Sequence, residues 1–252
     1  MSVYDALARY YDADHAAFDD DVPFYRELAR RAGDRVLEAM CGSGRLLVPL
    51  ARAGLQLDGI DSSPAMVALA RERLAEAGLL ERVRLHLGDV RQTLPPGPFD
   101  LAIVALNSFM HLVSTADQLA ALRNLHAALA PGGLLALDLF NPTSRALADL
   151  DGELVLDRTF TLPDGAQVQK FVAQRADMAR QLNHVTFIYD ELGADGQVRR
   201  ATHSFTLRWL YRYELEHLLA RAGFTIEAIF GSYDLDELHG GSELMLTIAR
   251  RD

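Results

Sequence analysis

The chain has 252 residues, half of them apolar, so it can bury a full core as one large domain or as one domain with an insertion. Its formal net charge is −10 and its basic residues are dispersed, which excludes the electrostatic footprint of a nucleic-acid binder and favours a small or neutral partner. No apolar run approaches the roughly 18 residues of a membrane span, no signal-type segment opens the chain, and Cys41 is the single cysteine. These features predict a cytoplasmic protein without a membrane anchor or an intrachain disulfide.

The first predicted elements are two helices. Residues Tyr4 to Asp12 have the spacing of a short helix with an aromatic stripe, and an acidic stretch follows at Asp19–Asp21. Residues Phe24 to Ala32 predict a second helix, which Gly33 ends. From its spacing alone, the first helix is interpreted as an amphipathic cap on the core.

A tight turn of small residues comes next and organises the chain. An apolar strand ends at Glu38 and Ala39, Cys41–Gly44 forms the turn, and Arg45 to Ala53 continues with helical spacing. A turn between a strand and a helix start presents free backbone N–H groups and the positive end of the helix dipole to a ligand. The pattern predicts a nucleotide site. Leu47 replaces the third glycine of the G-x-G-x-x-G fingerprint, which disfavours a nicotinamide enzyme.

The next two predicted strands are each followed by an acid at the same edge. Leu55 to Asp61 alternates as a strand and ends in Asp61, whose two oxygens suit the vicinal hydroxyls of a ribose. Ser62–Pro64 starts a helix over Ala65 to Ala77. Arg82 to Leu87 predicts the third strand, and the small segment Gly88, Asp89 and Val90 follows it.

A fully buried fourth strand is predicted over Phe99 to Leu106, with Asn107–His111 at its carboxyl end. Asn107 is expected to hydrogen-bond an acceptor group. For His111 two interpretations stay open, a base or a packed side chain. A helix over Thr115 to Ala130 and a Pro-Gly-Gly turn lead to a fifth strand, Leu134 to Phe140, in which Asp138 faces either the ligand edge or local structural partners.

Beyond the fifth strand the sequence changes character. Four alternating segments lie within 154–207, separated by the turn signals Pro163-Asp-Gly165 and Ala194-Asp195-Gly196, and they predict an antiparallel meander. Two interpretations are open: a lid or dimer surface, or a decorative insertion. A helix at Tyr211 to Ala222 and strands at Thr225 to Tyr233 and Glu243 to Arg250 complete the chain.

Taken in order, these motifs resemble the class I S-adenosylmethionine (SAM)-dependent methyltransferases that act on small molecules. The resemblance rests on the acid and G-x-G turn after the first strand, the acids Asp61 and Asp89, the Pro131-Gly-Gly turn and the Ala222-Gly-Phe helix end, and it covers about 200 residues. Met40 departs from it, since the family usually has a further glycine there. After the fourth strand, the Asn/Asp-Pro-Pro-aromatic motif of the methyltransferases that act on amino groups of nucleic-acid bases is absent. The acid that ends the fourth strand in the metal-dependent catechol-type subgroup is absent as well.

The resemblance implies an α/β fold: a Rossmann-like, doubly wound, seven-stranded, mostly parallel sheet with an antiparallel last strand and an antiparallel β meander inserted after the fifth strand. It divides the chain into a cofactor-binding core, 1–150 and 208–252, and an inserted lid or dimerisation subdomain, 151–207. A homodimer through the meander is one expected partner and a small-molecule acceptor the other.

The implied reaction is methyl transfer from SAM to a nitrogen or oxygen of a small molecule, without a metal. Two alternatives stay open: another SAM-using transferase, or a non-catalytic SAM-binding or assembly protein. The residues expected to bind the cofactor are Tyr11, Glu38, Ala39, Cys41, Gly42, Gly44, Asp61, Ser62, Met66, Asp89, Val90 and Leu106, and those expected to contact the acceptor are His111, Asn107 and Tyr11.

Overall fold

The computed structural model describes residues 3–15, 18–193 and 196–252, so two residues of the turn predicted at 194–196 lie outside the described residues. The helices are α1 (Val3–His15), α2 (Val22–Ala32), α3 (Leu47–Arg52), α4 (Pro64–Glu76), α5 (Thr115–Ala128), α6 (Ser144–Ala148) and α7 (Arg212–Arg221). The strands are β1 (Arg35–Ala39), β2 (Gln56–Asp61), β3 (Val83–Leu87), β4 (Phe99–Val104), β5 (Leu129–Phe140), β6 (Asp151–Thr161), β7 (Gln167–Asp177), β8 (Leu182–Leu192), β9 (Val198–Arg208), β10 (Phe224–Phe230) and β11 (Leu244–Arg251). Among these helices, none is long and apolar enough to cross a bilayer.

The larger sheet has seven strands in the order β10-β11-β5-β4-β1-β2-β3. Strand β11 runs antiparallel to β5 and β10, and the other neighbouring pairs are parallel. Chain order reverses between β1 and β4, so the connections that follow these two strands lead to helices on opposite faces of the sheet. Ligands of open parallel sheets bind in the crevice that this leaves at the carboxyl edge. The predicted Rossmann-like, doubly wound fold is confirmed.

Both faces of this sheet are covered by helices, which explains why its central strands β1, β4 and β5 carry runs of consecutive buried residues. On β1, Val36 packs into a cluster with α2, α3 and α4, whereas its neighbour Leu37 packs on the opposite face with α5 and α7. Both side chains are fully buried. The alternation places one core on each side of the sheet and leaves the strand ends free to carry functional groups.

Three predicted boundaries near the sheet are wrong. Helix α5 ends at Ala128 instead of Ala130, and Pro131–Gly133 forms an irregular part of β5 instead of a turn before it. Strand β4 pairs Phe99 with Leu129 and then Leu101 with Leu134, so the extra residues of β5 bulge outward. Gly132 permits the bulge because its φ of 77° is in the left-handed region. Helix α3 likewise begins at Leu47, two residues later than predicted, after the glycine turn.

The predicted meander is confirmed as a separate four-stranded antiparallel sheet in the order β6-β7-β8-β9. Helix α1 packs on it and is longer than predicted. The ring of Tyr10 stacks on that of Tyr189 with centroids 4.2 Å apart, and the Tyr10 hydroxyl donates a hydrogen bond to Glu191 Oε1 at 2.7 Å. Leu7, Leu162 and these two rings belong to one buried apolar cluster. On its other side, Asp5 of α1 accepts a hydrogen bond from Ser63 Oγ at the start of α4 at 2.6 Å, so α1 connects the meander with the helices of the larger sheet.

Candidate active site

A cavity of about 430 Å³ lies at the carboxyl ends of β1, β2, β3 and β4, where the strand order reverses. Its volume is within the range of small-molecule and cofactor sites, roughly 300–1,000 Å³. Strand ends form one wall, helix α1 a second, and the meander the third. Ten of the residues expected at the site line it, namely Tyr11, Gly42, Asp61, Ser62, Met66, Asp89, Val90, Leu106, Asn107 and His111.

Of the turn residues Cys41–Gly44, Gly42 alone lines the cavity and the others are buried. Gly42 lines the cavity with a φ of 54°, while Ala39 and Cys41 are buried behind it. Gly44 lies against α4, where an added Cβ would be 3.1 Å from the Cβ of Ala70. Gly44 therefore serves the close packing of the turn on α4, and Gly42 is the position that lets a ligand approach the backbone.

The Asp61 carboxylate joins this turn to the start of α4. Its Oδ2 accepts a hydrogen bond from the backbone N–H of Gly42 at 2.9 Å, and its Oδ1 accepts one from Ser63 at 2.8 Å. Burial raises the pKa of Asp61, and these backbone hydrogen bonds oppose the rise. Since a carboxylate has about four acceptor positions, the two oxygens retain capacity for ligand hydroxyls.

Asp89 stands at the corresponding place after β3. Its carboxylate accepts hydrogen bonds from the Arg91 side chain, including one from Nε at 3.0 Å, and from the Arg91 backbone N–H at 2.9 Å. The Arg91 guanidinium lowers the pKa of Asp89. The cavity therefore holds an ionised acid with a fixed orientation at this end, next to Gly88 and Val90.

Glu38 lies close behind the turn and does not line the cavity. Its side chain is buried, and its Oε2 has no hydrogen-bond partner among the described residues. Burial raises the pKa of Glu38 to about 8, with Arg45 opposing and Asp21 and Asp61 adding to the rise. A buried acceptor without a partner is costly. A cationic amine bound beside the turn would give this oxygen a partner. SAM carries such an ammonium group at its amino-acid end.

Helix α1 supplies two tyrosines on the same face. The Tyr4 hydroxyl is hydrogen-bonded to His111 Nε2 at 2.8 Å, and the Tyr11 hydroxyl is the atom nearest to a Cβ placed on Gly42, at 3.7 Å. Burial lowers the pKa of His111 to about 4 and raises that of Tyr11 to about 12. The cavity thus contains a neutral imidazole and a neutral phenol at neutral pH. Sequence reasoning missed Tyr4, although it lies two helical turns before Tyr11 on the aromatic stripe.

Asn107 has a structural task as well as a place in the cavity. Its Oδ1 accepts a short hydrogen bond from the backbone N–H of Phe140, and its own N–H donates to the Asp138 carbonyl at 3.0 Å. Asp138 Oδ2 accepts hydrogen bonds from Leu106 N–H at 3.1 Å and from the Tyr233 hydroxyl at 2.5 Å. The loop after β4 is therefore tied to β5, and the Nδ2 hydrogens are the part of the Asn107 side chain that remains for a ligand.

Three non-glycine residues that line the cavity have left-handed backbones: Met40 with φ 60°, Leu106 with φ 49° and Asn107 with φ 61°. This conformation costs about 1–2 kcal/mol for most residues with a side chain and less for Asn. Met40 thus keeps the backbone geometry that a glycine would adopt freely and adds a thioether side chain to the cavity wall. The strain lies at the ends of two adjacent strands, β1 and β4.

The meander forms the third wall with aromatic and apolar side chains, which sequence reasoning did not single out. Phe187 and Tyr189 come from β8, and Phe205 and Leu207 from β9. The ring of Phe205 lies 5.4 Å from that of His111 and 5.0 Å from that of Phe187. Among the described residues no group of three or more His, Cys, Asp or Glu side chains could hold a metal ion. The cavity is acidic and polar at the strand ends and aromatic at the meander.

A family described as a methyltransferase domain matches residues 36–133. The ubiquinone biosynthesis O-methyltransferase of Xanthomonas euvesicatoria pv. vesicatoria is 30% identical over 193 residues, which cover 73% of this chain and 78% of that protein. The cypemycin N-terminal methyltransferase of a Streptomyces species is 27% identical over 220 residues, or 87% and 84% of the two chains.

A solved structure is similar over the whole length. It is the SAM-bound amino pentose methyltransferase of Micromonospora echinaspora, involved in calicheamicin biosynthesis, with a TM-score of 0.72 and 26% identity. The match covers 100% of this chain and 98% of the other. The predicted cofactor and enzymatic nature are thereby confirmed, and the chain belongs to the class I S-adenosylmethionine-dependent methyltransferases.

Proposed function

We propose that this enzyme methylates an amine nitrogen of a small molecule. The observation that carries the proposal is the two-ended cavity, with Gly42, Asp61 and Asp89 at the strand ends and an aromatic wall with the Tyr4–His111 pair opposite. The acidic end suits a ribose and an adenine amino group, and the aromatic end suits an uncharged or methylated amine. The similarity to an N-terminal methyltransferase and to an amino pentose methyltransferase supports the choice of nitrogen.

The proposed cofactor contacts follow the geometry. Asp61 holds the ribose, and Asp89 and Val90 hold the adenine. Gly42 lets the cofactor approach the backbone of the turn, and Glu38 pairs with the ammonium group. Tyr11 covers the turn from α1, and Ser62, Met66 and Leu106 complete the walls. Ala39, Cys41 and Gly44 act through the backbone of the turn, because their side of it faces the core.

When bound, SAM supplies an activated methyl group on a sulfonium. The chain's own residues then have to bring the acceptor into line and exclude water, and such positioning contributes roughly 7–11 kcal/mol to lowering a barrier. A hydroxyl acceptor also needs a base, whereas a neutral amine loses its proton after transfer. His111, with a pKa of about 4, is a weak base. The burial that lowers its pKa also disfavours the protonated form of an amine acceptor, so the site favours nitrogen.

Methyl transfer to a hydroxyl is the second candidate. It is favoured by the Tyr4–His111 hydrogen bond, which offers a route for the hydroxyl proton, and by the similarity to an O-methyltransferase. The two candidates differ in what they require of His111. Transfer of a group other than methyl would be recognised by the mass of the product.

We further propose the domain division and the setting of the enzyme. Residues 1–150 and 208–252 form the cofactor unit, and 151–207 an inserted acceptor-side subdomain that also pairs two chains. Strand β6 is the outer strand of its sheet, and its consecutive residues Leu154, Val155 and Leu156 are 55%, 57% and 50% exposed. Such an apolar edge is a template for pairing with another strand.

The net charge of −10 and the single cysteine support action in the cytoplasm on a partner that is not a nucleic acid.

Replacing Asp61 tests the cofactor site. Asp61→Asn should raise the Kd for SAM at least several-fold, since hydrogen bonds to charged groups contribute about 1.5–3 kcal/mol. Calorimetric titration with SAM, S-adenosylhomocysteine and NAD measures this. The matched control is Asp58→Asn on the same strand, because Asp58 is bonded to His86 Nε2 at 2.7 Å and does not line the cavity. An unchanged affinity of Asp61→Asn for SAM would contradict the ribose assignment.

Replacing His111 separates nitrogen from oxygen acceptors. With an amine acceptor, His111→Asn should lower kcat by less than about tenfold, whereas loss of a general base typically lowers it by about 10²–10⁴. The assay is mass spectrometry of products from a panel of amines, amino sugars, phenols and alcohols. A panel in which only hydroxyl compounds are methylated would overturn the choice of nitrogen.

The pH dependence of SAM binding tests Glu38. In the free enzyme its pKa is about 8, so at neutral pH the carboxyl is largely protonated. A bound ammonium favours the carboxylate and lowers this pKa, so binding releases a proton and affinity should rise with pH towards about pH 8. Above about pH 8 the ammonium of SAM loses its own proton, and affinity should fall. Calorimetry at about pH 6, 7, 8 and 9 measures this. Glu38→Gln should lose the rise below about pH 8; an equal rise in both proteins would contradict the assignment.

Pairing through β6 is tested by light scattering after gel filtration. The wild type should have the mass of a dimer, and Val155→Lys should have that of a monomer, because a charge on the edge opposes strand pairing. Met178→Lys is the control, since Met178 is 57% exposed at the turn between β7 and β8, away from that edge. A wild-type monomer would rule out the dimer.

A further inference from the structure

The only lysine of the chain is buried between α1 and the meander. Lys170 lies on β7 and is 5% exposed. Its Nζ donates a hydrogen bond to Asp14 Oδ2 at 2.7 Å and lies 3.2 Å from Asp157 Oδ2. The same Nζ is 4.2 Å from the centroid of the Phe187 ring. One ammonium group therefore connects β7 with the last turn of α1, with β6 and with β8.

Asp14 has further partners in the same network. Its Oδ2 accepts a hydrogen bond from the Tyr189 hydroxyl at 3.2 Å, and its backbone carbonyl accepts one from Arg158 Nη1 at 2.7 Å. Asp14 is 4% exposed. Removing two charges from water has a cost that their attraction often does not recover, so a buried ion pair is weak evidence for stability. Conformational specificity is the other role that such pairs have been shown to serve.

The groups that this network touches form two walls of the cavity. Phe187 and Tyr189 line it from the meander, and α1 contributes Tyr4, Leu7, Tyr11 and His15. The opposite side of α1 is bonded to the larger sheet's helices through Asp12, whose Oδ1 is 2.7 Å from the Arg73 guanidinium. Earlier in α1, Arg9 reaches Glu191, but the Arg9 side chain is 47% exposed. Lys170 is the buried connection at the last turn of the helix.

We propose that Lys170 is a positioning residue for methyl transfer: paired with Asp14, it holds the last turn of α1 and the Phe187 ring where they form the cavity wall. This rests on the proposed placement of both substrates in the cavity. Lys170 does not itself line the cavity, so it acts through Asp14, Tyr189 and Phe187. The pair would keep Tyr11, which covers the cofactor side of the cavity, at a fixed position relative to the aromatic wall on the acceptor side.

The experiment compares three variants by amide hydrogen exchange and thermal unfolding. Lys170→Met removes the ammonium and leaves the buried Asp14 carboxylate with Arg158 Nε, 3.4 Å from its Oδ1, as its remaining cationic neighbour. The double variant Lys170→Met/Asp14→Asn removes both charges, which in other proteins is often neutral for stability. Arg200→Gln is the control, because Arg200 pairs with Asp190 at 2.6 Å on the same sheet and does not line the cavity.

In both Lys170 variants, amides of the last turn of α1, residues 11–15, should exchange about tenfold faster than in the wild type, because the turn opens locally. The Kd for S-adenosylhomocysteine should rise by about the same factor, because Tyr11 no longer covers the glycine turn at Gly42. The melting temperature should fall in the single variant and recover in the double variant. Arg200→Gln should change none of these.

Two results would overturn the proposal. One is wild-type exchange of residues 11–15 in Lys170→Met. The other is a double variant in which exchange and affinity recover together with the melting temperature, since the pair would then contribute stability alone. If the wild type itself fails to bind S-adenosylhomocysteine, the proposed function is wrong, and the exchange comparison still decides whether Lys170 holds α1.

Discussion

The site depends on the hydrogen bonds that the Asp61 carboxylate accepts. By accepting hydrogen bonds from the backbone of Gly42 and Ser63, it joins the turn after β1 to the helix after β2. Adjacent parallel strands bring these segments together at one edge, and the carboxylate then fixes their separation. The same group that would read a ribose therefore also shapes the turn on which the ribose would lie. Structure and recognition share one side chain, so the turn is ordered before a ligand arrives.

The strand ends were predictable from sequence because their signals are local. Gly42, Asp61 and Asp89 stand directly after apolar strands, and the alternation of strands and helices dictates that these ends meet. The aromatic wall was not predictable. Phe187 and Phe205 are ordinary alternating residues of an antiparallel meander, and only the docking of that sheet on α1 turns them toward the cavity. Tyr4 was visible as part of a stripe, yet its pairing with His111 joins positions 107 residues apart.

The boundary errors have a similar origin. A Pro-Gly-Gly segment is a turn signal in most contexts, but here its glycines permit a bulge within β5, so strand pairing overrides local preference. Met40 shows the reverse. Its side chain departs from the glycine expected of the family, while its backbone keeps the left-handed conformation that the turn requires. The surrounding fold determines the backbone there, and the residue adapts to it at some cost in strain.

The inserted meander gives the cavity an aromatic wall that can vary separately from the strand ends. Its strands pair only with each other among the described residues, and its apolar cluster is shared with α1. Substitutions on β8 and β9 can therefore reshape the aromatic end of the cavity without touching the strand ends that hold the acids. In the proposed function, this arrangement would separate recognition of the acceptor from recognition of the cofactor, and α1 would serve both.

The burial of Lys170 also has a chemical consequence for the surface. Since it is the only lysine, the positive charge that the chain presents to solvent from basic side chains is guanidinium, and no ε-amine is freely exposed. Acylating reagents, aldehydes and lysine-directed cross-linkers consequently have no side-chain amine to reach while α1 is docked. Acylation of this single site would instead report how often the last turn of α1 leaves the meander, which makes the residue an intrinsic chemical probe of local opening.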